Sequence, residues 1–553
     1  MSQPRHYQFW PEHLPKTIEA TSNSVHSNLI NAAAKNPDKA ATIFFGEELS
    51  YSKMLSQVEA ITGYLQQACN VQKGDRVVLM MQNCPQFIIA FNAILNAGAI
   101  VIPINPMNVT DEIRHYINDS GSVCAIISQE NTGKAIPLLD ETPLKNIISA
   151  TYSDYLPQKS QYEIDPVFTE ATSTFDCDNV VSWQEVLTAN LPVTQVNVSG
   201  DDDCMIIYTS GSTGAPKGCL HTHFSANSTI NNAGLWTETS ESSVALAVVP
   251  FFHVTGLQLV VNMTINKGGT VVILPRWNAK SAATMIEQHQ CSHWINVPVM
   301  VIDMVNNPRA MERDISSLKF IMGGGSAMPE AVAAKLHELC GIEYVEGYGL
   351  SETAAGGIVN PTTRPKRGCL GIPWINSKAL IVDPETLEIL ESGEAGEIII
   401  NSPQVFKSYW KNEAATKDTL IQLHGDTWLR TGDLGYMDED GYFFITDRIK
   451  RMINAAGYKV WPAEVEAAFY KNEAIQEVCI ISSPEERRGE TVKAVVVLKA
   501  DAVGSVSQEE IIAWAREHLS AYKVPRTVEF VQALPRTATG KVNWRSLQEA
   551  EYK

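Results

Sequence analysis

Two hydrophobic rhythms alternate along the first part of the chain. From Ser50 to Gln67, and again from Asp111 to Asn118, apolar residues return every three or four positions, the spacing that builds one face of an α-helix. Between them lie short runs rich in β-branched residues, Arg76–Met80, Ala99–Ile104 and Val123–Ile127, which read as strands covered on both faces. Helices and strands in this alternation predict an α/β fold with a parallel sheet. The most apolar stretch, Phe87 to Ile104, is broken by Asn92, Asn96 and Gly98 and predicts a buried helix followed by a buried strand rather than a membrane span. Tyr152 to Asp178 is polar and rich in Ser, Thr, Asp and Pro, and is expected to run over the surface. Strands resume at Cys204–Tyr208 and Val244–Pro250, and Phe320–Ile321–Met322 runs as a strand into glycines.

The last hundred residues carry a pattern of their own. Pro462 suits the first turn of a helix, and Val465, Ala468 and Phe469 fall on one face of it. Strands are expected at Val478–Ile481 and Val492–Leu498, and Ser507 with Glu510 predicts a capping box for a helix reaching about Leu519. A chain of 553 residues exceeds what a single core supports, so a large N-terminal domain and a small C-terminal one are expected.

Charge narrows the function classes. The net charge of −19 argues against a general nucleic-acid binder, which needs a basic stripe to neutralise phosphates; an anionic substrate would have to meet locally placed cations. Ten cysteines without a Cys-x-x-Cys pair read as reduced core thiols of a cytoplasmic protein. Residues 1–16 hold no apolar core of a secretory signal.

Candidate chemistry concentrates in a few strings. Tyr208-Thr209-Ser210-Gly211-Ser212-Thr213-Gly214-Ala215-Pro216-Lys217-Gly218 packs hydroxyls, backbone amides and one mobile cation behind a strand. Those are the groups a polyphosphate needs, although such clusters are also common in plain linkers. It is not a Walker loop, because Pro216 precedes Lys217 and Gly218 follows it. Phe251-Phe252-His253-Val254 ends an apolar strand; a histidine there is either structural or part of a pocket. Gly323, Gly324 and Gly325 permit close approach to the backbone, by a flat ligand or in a turn. Glu346-Gly347-Tyr348-Gly349-Leu350-Ser351-Glu352 adds an aromatic plane that could stack on a base and a carboxylate suited to Mg²⁺. Asp433 lies in Thr431-Gly432-Asp433, where a carboxylate can hold vicinal hydroxyls or close a turn. Asp447-Arg448-Ile449-Lys450-Arg451 gathers cations in an acidic chain.

Taken together and in order, these strings resemble the motifs of the adenylate-forming superfamily, which includes acyl-CoA synthetases, peptide-synthetase adenylation domains and firefly luciferase, and the resemblance extends over nearly the whole chain. It implies a large N-terminal domain, 1–449, of packed mixed and parallel sheets with helices, and a small mobile α+β domain, 450–553, turning about Lys450. On the resemblance, ATP meets Thr209, Ser210, Gly211, Ser212, Thr213, Gly214, Lys217, Gly324, Gly325, Gly347, Tyr348, Gly349, Ser351, Asp433, Arg448 and Lys450. Thr209 and Glu352 lie at the metal, Asp433 at the ribose and Tyr348 at the base. Ser351 stands where the family usually has threonine, which keeps the hydroxyl. The acyl pocket is assigned to Phe252, His253, Val254 and Gly323, the path of CoA to Gly457, and the catalytic side chains to Lys541, Glu352 and His253.

The resemblance implies an AMP-forming acid–thiol ligase that uses ATP, Mg²⁺ and CoA. Peptide-synthetase adenylation domains place an aspartate near His253 to hold a substrate ammonium; none occurs between Pro250 and Gln258. With the apolar residues there, this favours a medium- or long-chain fatty acid. A branched, sulfur-containing or aryl acid, an enzyme that loads a carrier protein, and a non-catalytic nucleotide-binding regulator are the alternatives. Expected partners are the carboxylic acid, ATP and CoA, with neither nucleic acid nor an integral membrane segment; a homodimer is one option for assembly.

Overall fold

The computed structural model describes residues 4–19, 21–209, 216–325, 328–455, 458–485, 489–537 and 541–552. They form two compact units. The larger takes residues 4–209, 216–378 and 400–429; the smaller takes 379–399 and 430–552. By compactness the smaller unit begins before residue 450 and includes Asp433.

The larger unit is built on two sheets. The eight-stranded one has the parallel strands Arg76–Met80, Ile100–Pro103, Cys124–Ser128, Asn146–Ala150 and Val180–Ser182 at its heart and flank. Asp203–Thr209 joins them in parallel beside Ile100–Pro103 and is followed by the antiparallel Lys217–Thr222. The nine-stranded sheet sets His293–Asn296, Phe320–Gly324 and Val345–Tyr348 side by side in parallel. Its edges beyond Val345–Tyr348, the two-residue strands Ile358–Val359 and Ile372–Pro373, turn antiparallel. Ligands in such sheets gather at the carboxyl ends of parallel strands, and those ends carry the motif strings.

Local sequence accounts for the elements around them. The helix Tyr51–Gln67 starts at Ser50, whose Oγ accepts from the Lys53 N–H at 3.3 Å, a cap that contributes about 1 kcal/mol. The helix Pro85–Asn96 is buried at every position but its last, and the strand Ile100–Pro103 that follows is buried throughout. Apolarity on all sides is what a helix enclosed by protein requires. No helix among the described residues is long and apolar enough to cross a membrane.

One sequence expectation needs correction. The stretch Tyr152 to Asp178 is not simply a surface excursion, since Tyr152, Tyr155, Tyr162 and Phe168 are buried. Phe168 lies 4.9 Å from the Tyr152 ring and 6.5 Å from Phe44, centroid to centroid. Four widely spaced aromatics pin a polar segment to the core, and burying each contributes about 2 kcal/mol, a signal that has no period to detect.

The smaller unit has its own five-stranded sheet, with Ile475–Glu485 and Gly489–Leu498 paired antiparallel and Thr527–Phe530 added in parallel. Val465 and Phe469 of the helix Pro462–Phe469 pack into a core with Ile480, Val496 and Ile511. Ser507 and Glu510 form the capping box of the helix Gln508–His518.

Candidate active site

The string Tyr208–Gly218 begins as the end of a strand and resumes as the start of the next. Thr209 and Lys217 are register partners there, the Thr209 hydroxyl donating to the Lys217 carbonyl at 3.4 Å. Ser210, Gly211, Ser212, Thr213 and Gly214 lie outside the described residues, as does Gly457.

Two glycine-rich strand ends meet in the nine-stranded sheet, Gly323 opposite Glu346 and Gly324 opposite Gly347. A β-carbon on Gly324 would stand 2.4 Å from the Gly347 carbonyl oxygen, and one on Gly323 1.7 Å from the Tyr344 hydroxyl. Protein packing alone therefore requires glycine at both positions. Tyr344 is itself fixed by donating to Asn296 Oδ1 at 3.1 Å. The Glu346 carboxylate ties the neighbourhood together, accepting from the Met328 N–H at 3.1 Å and the Gly368 N–H at 2.9 Å. Burial pushes its pKa up, opposed by those amides.

The chain then leaves the strand at Tyr348 and makes a tight 3₁₀ turn, Ser351–Thr353. Ala354 and Ala355 follow with φ of 48° and 86°, conformations that strain a residue with a β-carbon and that collect at functional sites. Two residues that the sequence did not single out hold this turn. His221, fully buried, donates from Nε2 to the Ser351 carbonyl at 2.7 Å and turns Nδ1 to the Ser225 hydroxyl at 3.2 Å. Burial lowers its pKa to about 4, against the pull of that bond, so the ring is neutral. Tyr409 donates from its hydroxyl to Glu352 Oε1 at 2.6 Å. Burial, and next the Glu352 charge, hold the phenol well above its ordinary pKa. The Lys217 ammonium lies 4.7 Å from the centroid of the same ring, so one tyrosine touches both the candidate metal carboxylate and the cation of the hydroxyl-rich loop.

Among the described residues no three His, Cys, Asp or Glu side chains gather to cage a metal. A single carboxylate such as Glu352 fits Mg²⁺, which keeps its waters and takes much of its coordination from substrate phosphates. At the Phe251–Val254 string, Phe251 and Val254 are buried and Phe252 and His253 partly so. His253 Nδ1 accepts from the Thr255 N–H at 3.3 Å, and the chain continues as a π-helix, Thr255–Asn262, a rare form frequent at functional sites.

In the smaller unit Asp433 and Arg448, fifteen residues apart, are register partners on adjacent antiparallel strands, Asp426–Met437 and Phe443–Arg448. Arg448 Nε stands 3.0 Å from Asp433 Oδ1. Asp433 is 1% exposed, whereas Arg448 and Lys450 are exposed. Lys541 follows in the same unit. The residue keeps an exposed surface, but protein around its ammonium strips water from it; that desolvation, then the Arg448 charge, lowers its pKa while Asp433 opposes. Arg451 joins the segment after Arg448 to the rest of this unit, with Nη2 2.5 Å from Glu466 Oε1 and its guanidinium 5.6 Å from the Trp544 ring.

The sequence strings thus fall into two groups, one on the strand ends of the larger unit and one around Asp433, Arg448 and Lys541 in the smaller. His221, Tyr409, Glu346 and Arg451 are the additions. Only Glu346 and Arg451 lay inside strings already noticed.

Comparison with known proteins agrees with this arrangement. The model of the AMP-binding enzyme family matches residues 29–410, and that of the AMP-binding enzyme C-terminal domain matches residues 464–541. A long-chain-fatty-acid–CoA ligase of Bacillus subtilis (strain 168) is 36% identical over 98% of this chain and 97% of its own. A feruloyl-CoA synthase of an Amycolatopsis species is 32% identical over 93% and 96%. Among solved structures, a fatty acyl CoA synthetase of Mycobacterium tuberculosis superposes with a TM-score of 0.73 at 28% identity, over 95% of this chain and 98% of its own. With strings, sheets and both family models in the same order along the chain, the protein belongs to the AMP-binding enzyme family of the adenylate-forming superfamily.

Proposed function

We propose that this protein is an ATP-dependent acyl-CoA synthetase acting on a medium- or long-chain fatty acid. In the first half-reaction a carboxylate oxygen attacks the α-phosphorus of ATP, the bond to the bridging oxygen breaks, and pyrophosphate leaves with the electron pair. In the second, the CoA thiolate attacks the acyl carbon and AMP departs. The observation that carries the reading is the turn at Tyr348–Glu352, where an aromatic plane, a hydroxyl and a fixed carboxylate stand within five residues, with Lys217 over the ring that holds the carboxylate.

The demand of the first step is dispersal of negative charge at phosphorus, for which preorganised cations and dipoles are the main means. Tyr348 would stack on the base, Asp433 would receive the ribose hydroxyls with Arg448 at hand, and Lys217 with the loop from Thr209 to Gly214 would meet the phosphates. Glu352 and Thr209 would hold Mg²⁺, which when bound neutralises phosphate charge. Lys541 would stabilise the transition state of this step and be dispensable for the next. The part of the chain after Lys450 would turn about that residue between half-reactions, as adenylate-forming enzymes do, and Gly457 would leave room for the pantetheine arm.

The apolar Phe252 and Val254 with His253 and Gly323 support an alkyl chain as the acyl group, as does the absence of an acid between Pro250 and Gln258. The full-length similarity to a long-chain-fatty-acid–CoA ligase points the same way. A second reading, an aryl acid, is favoured by the feruloyl-CoA synthase relative. A cytoplasmic location and assembly as a homodimer complete the proposal.

A pyrophosphate-release screen over carboxylic acids, with and without CoA and with mass spectrometry for the thioester, tests it. Medium- and long-chain acids should give acyl-CoA. Turnover confined to aryl acids would transfer the proposal to the second reading, and ATP binding without acid-dependent pyrophosphate release would refute both.

A further inference from the structure

The hydrogen bond from Tyr409 to Glu352 has no part in the reaction as proposed, yet the fold provides for it with care. The strand Ser408–Tyr409 pairs with Lys217–Thr222 through Tyr409 opposite Cys219. Three residues before Tyr409, the Phe406 N–H donates to the backbone carbonyl of Glu352 at 2.8 Å. The short segment 406–409 therefore grips Glu352 twice, once at the main chain and once at Oε1. Phe406, Tyr409, Cys219 and Leu429 are buried together in one apolar cluster, and the rings of Phe406 and Tyr409 meet edge to face at 4.7 Å. The Tyr409 N–H is taken by Thr416 Oγ1 at 3.0 Å. A phenol so placed has little freedom to leave its acceptor.

A glutamate carboxylate turns about three side-chain torsions, so a lone acid at a half-exposed turn is a poor metal ligand until something fixes its plane. Partners behind a ligand do this, and losing one typically lowers metal affinity about 10- to 100-fold. The partner's charge also matters. A cation at 2.6 Å from Oε1 would neutralise the carboxylate and compete with the metal; a phenol is neutral and occupies one oxygen only. The Lys217 ammonium lies over the ring face, 4.7 Å from its centroid. The same tyrosine thus meets the carboxylate at its hydroxyl edge and the lysine at its face.

We propose that Tyr409 is a positioning residue for the metal site: it orients the Glu352 carboxylate toward Mg²⁺. The proposal rests on reading Glu352 as a metal ligand. The two are separated by titrating the full-length chain, with a non-hydrolysable ATP analogue bound, with Mn²⁺ followed by electron paramagnetic resonance. Glu352→Gln should abolish the tight Mn²⁺ site, and Tyr409→Phe should weaken it about tenfold while its melting midpoint stays near that of the wild type. If Glu352→Gln binds Mn²⁺ like the wild type, the metal-ligand reading falls and the Tyr409 proposal with it. If Glu352→Gln loses the site while Tyr409→Phe keeps full affinity, the Tyr409 proposal alone is overturned. Should Tyr409→Phe fail to fold, 3-fluorotyrosine placed at position 409 supplies the readout: its ¹⁹F resonance should move when Mg²⁺ joins the analogue complex, and a stationary resonance would refute the coupling.

Discussion

A single methyl group added at Gly349 should separate the binding turn from the rest of the fold. A β-carbon there would stand 2.1 Å from the Ala355 carbonyl oxygen, 2.4 Å from its carbon and 2.7 Å from the Gly356 nitrogen. All three are backbone atoms, so no side chain can rotate away. Ordinary contact begins near 3.4 Å, and the turn must therefore open by about 1.3 Å, the difference from 2.1 Å. Ala354 and Ala355 already occupy left-handed conformations at φ of 48° and 86°, which leaves little slack for accommodation. Overpacking of this kind costs about 1–3 kcal/mol. Displacement by about 1 Å of groups that position a substrate costs about 100-fold in rate, and Tyr348, Ser351 and Glu352 all sit on the displaced turn. Gly349→Ala is expected to lower kcat/KM for ATP about 100-fold in a pyrophosphate-release assay and to lower the melting midpoint by about 1–3 °C. Gly133→Ala is the control: it lies in the helix Gln129–Ala135 with nothing within 4 Å of the new methyl, and should gain about 0.5–1 kcal/mol with activity unchanged. A Gly349→Ala enzyme with wild-type kcat/KM and melting would show that the turn tolerates the shift and that its geometry does not govern ATP use.

Two other outcomes are expected. Lys541→Ala should abolish pyrophosphate release yet spare thioester formation from supplied acyl-AMP, while Gly457→Leu should do the reverse; loss of the same half-reaction in both, followed by pyrophosphate release and by mass spectrometry, would contradict separate roles for these residues. Stability should fall with acid, because burial lowers the pKa of His26, His221 and His223 from 6.5 to about 4. A base whose folded pKa lies below its unfolded one contributes fully above pH 6.5 and loses that contribution as pH falls toward 4, up to about 3 kcal/mol for each such histidine. The buried carboxyls Glu346 and Asp447, whose pKa burial raises, act in the opposite direction. Urea unfolding at pH 7 and pH 4.5 should show a smaller drop for His223→Asn than for the wild type, and an equal drop would remove this histidine from the account.

Much of the fold was legible because it follows from neighbours along the chain. The cap at Ser50, the capping box of Ser507 and Glu510, and the apolar strands of the parallel sheet involve residues no more than a few positions apart, where periodicity and hydrogen-bonding chemistry are visible in a line of letters. The same holds for the strings at Tyr208–Gly218 and Glu346–Glu352, whose chemistry is carried by adjacent residues. The segment Tyr152 to Asp178 was misread for the complementary reason: its anchoring aromatics follow no period, and Phe168 is buried against Phe44 from far upstream.

By itself, then, the sequence determined the class of fold, the small C-terminal unit and which chemical groups gather in the motif strings, since each is set by local propensity and local composition. Tertiary structure alone decided what holds those groups. Tyr409 reaches Glu352 from 57 positions away and His221 reaches Ser351 from 130. Asp433 faces Arg448 through strand register, and Gly324 must be glycine because the Gly347 carbonyl stands against it. A hydrogen bond or a steric contact has a range of a few ångströms in space and no fixed range along the chain, so partners of this kind become visible only when the sheets bring them together.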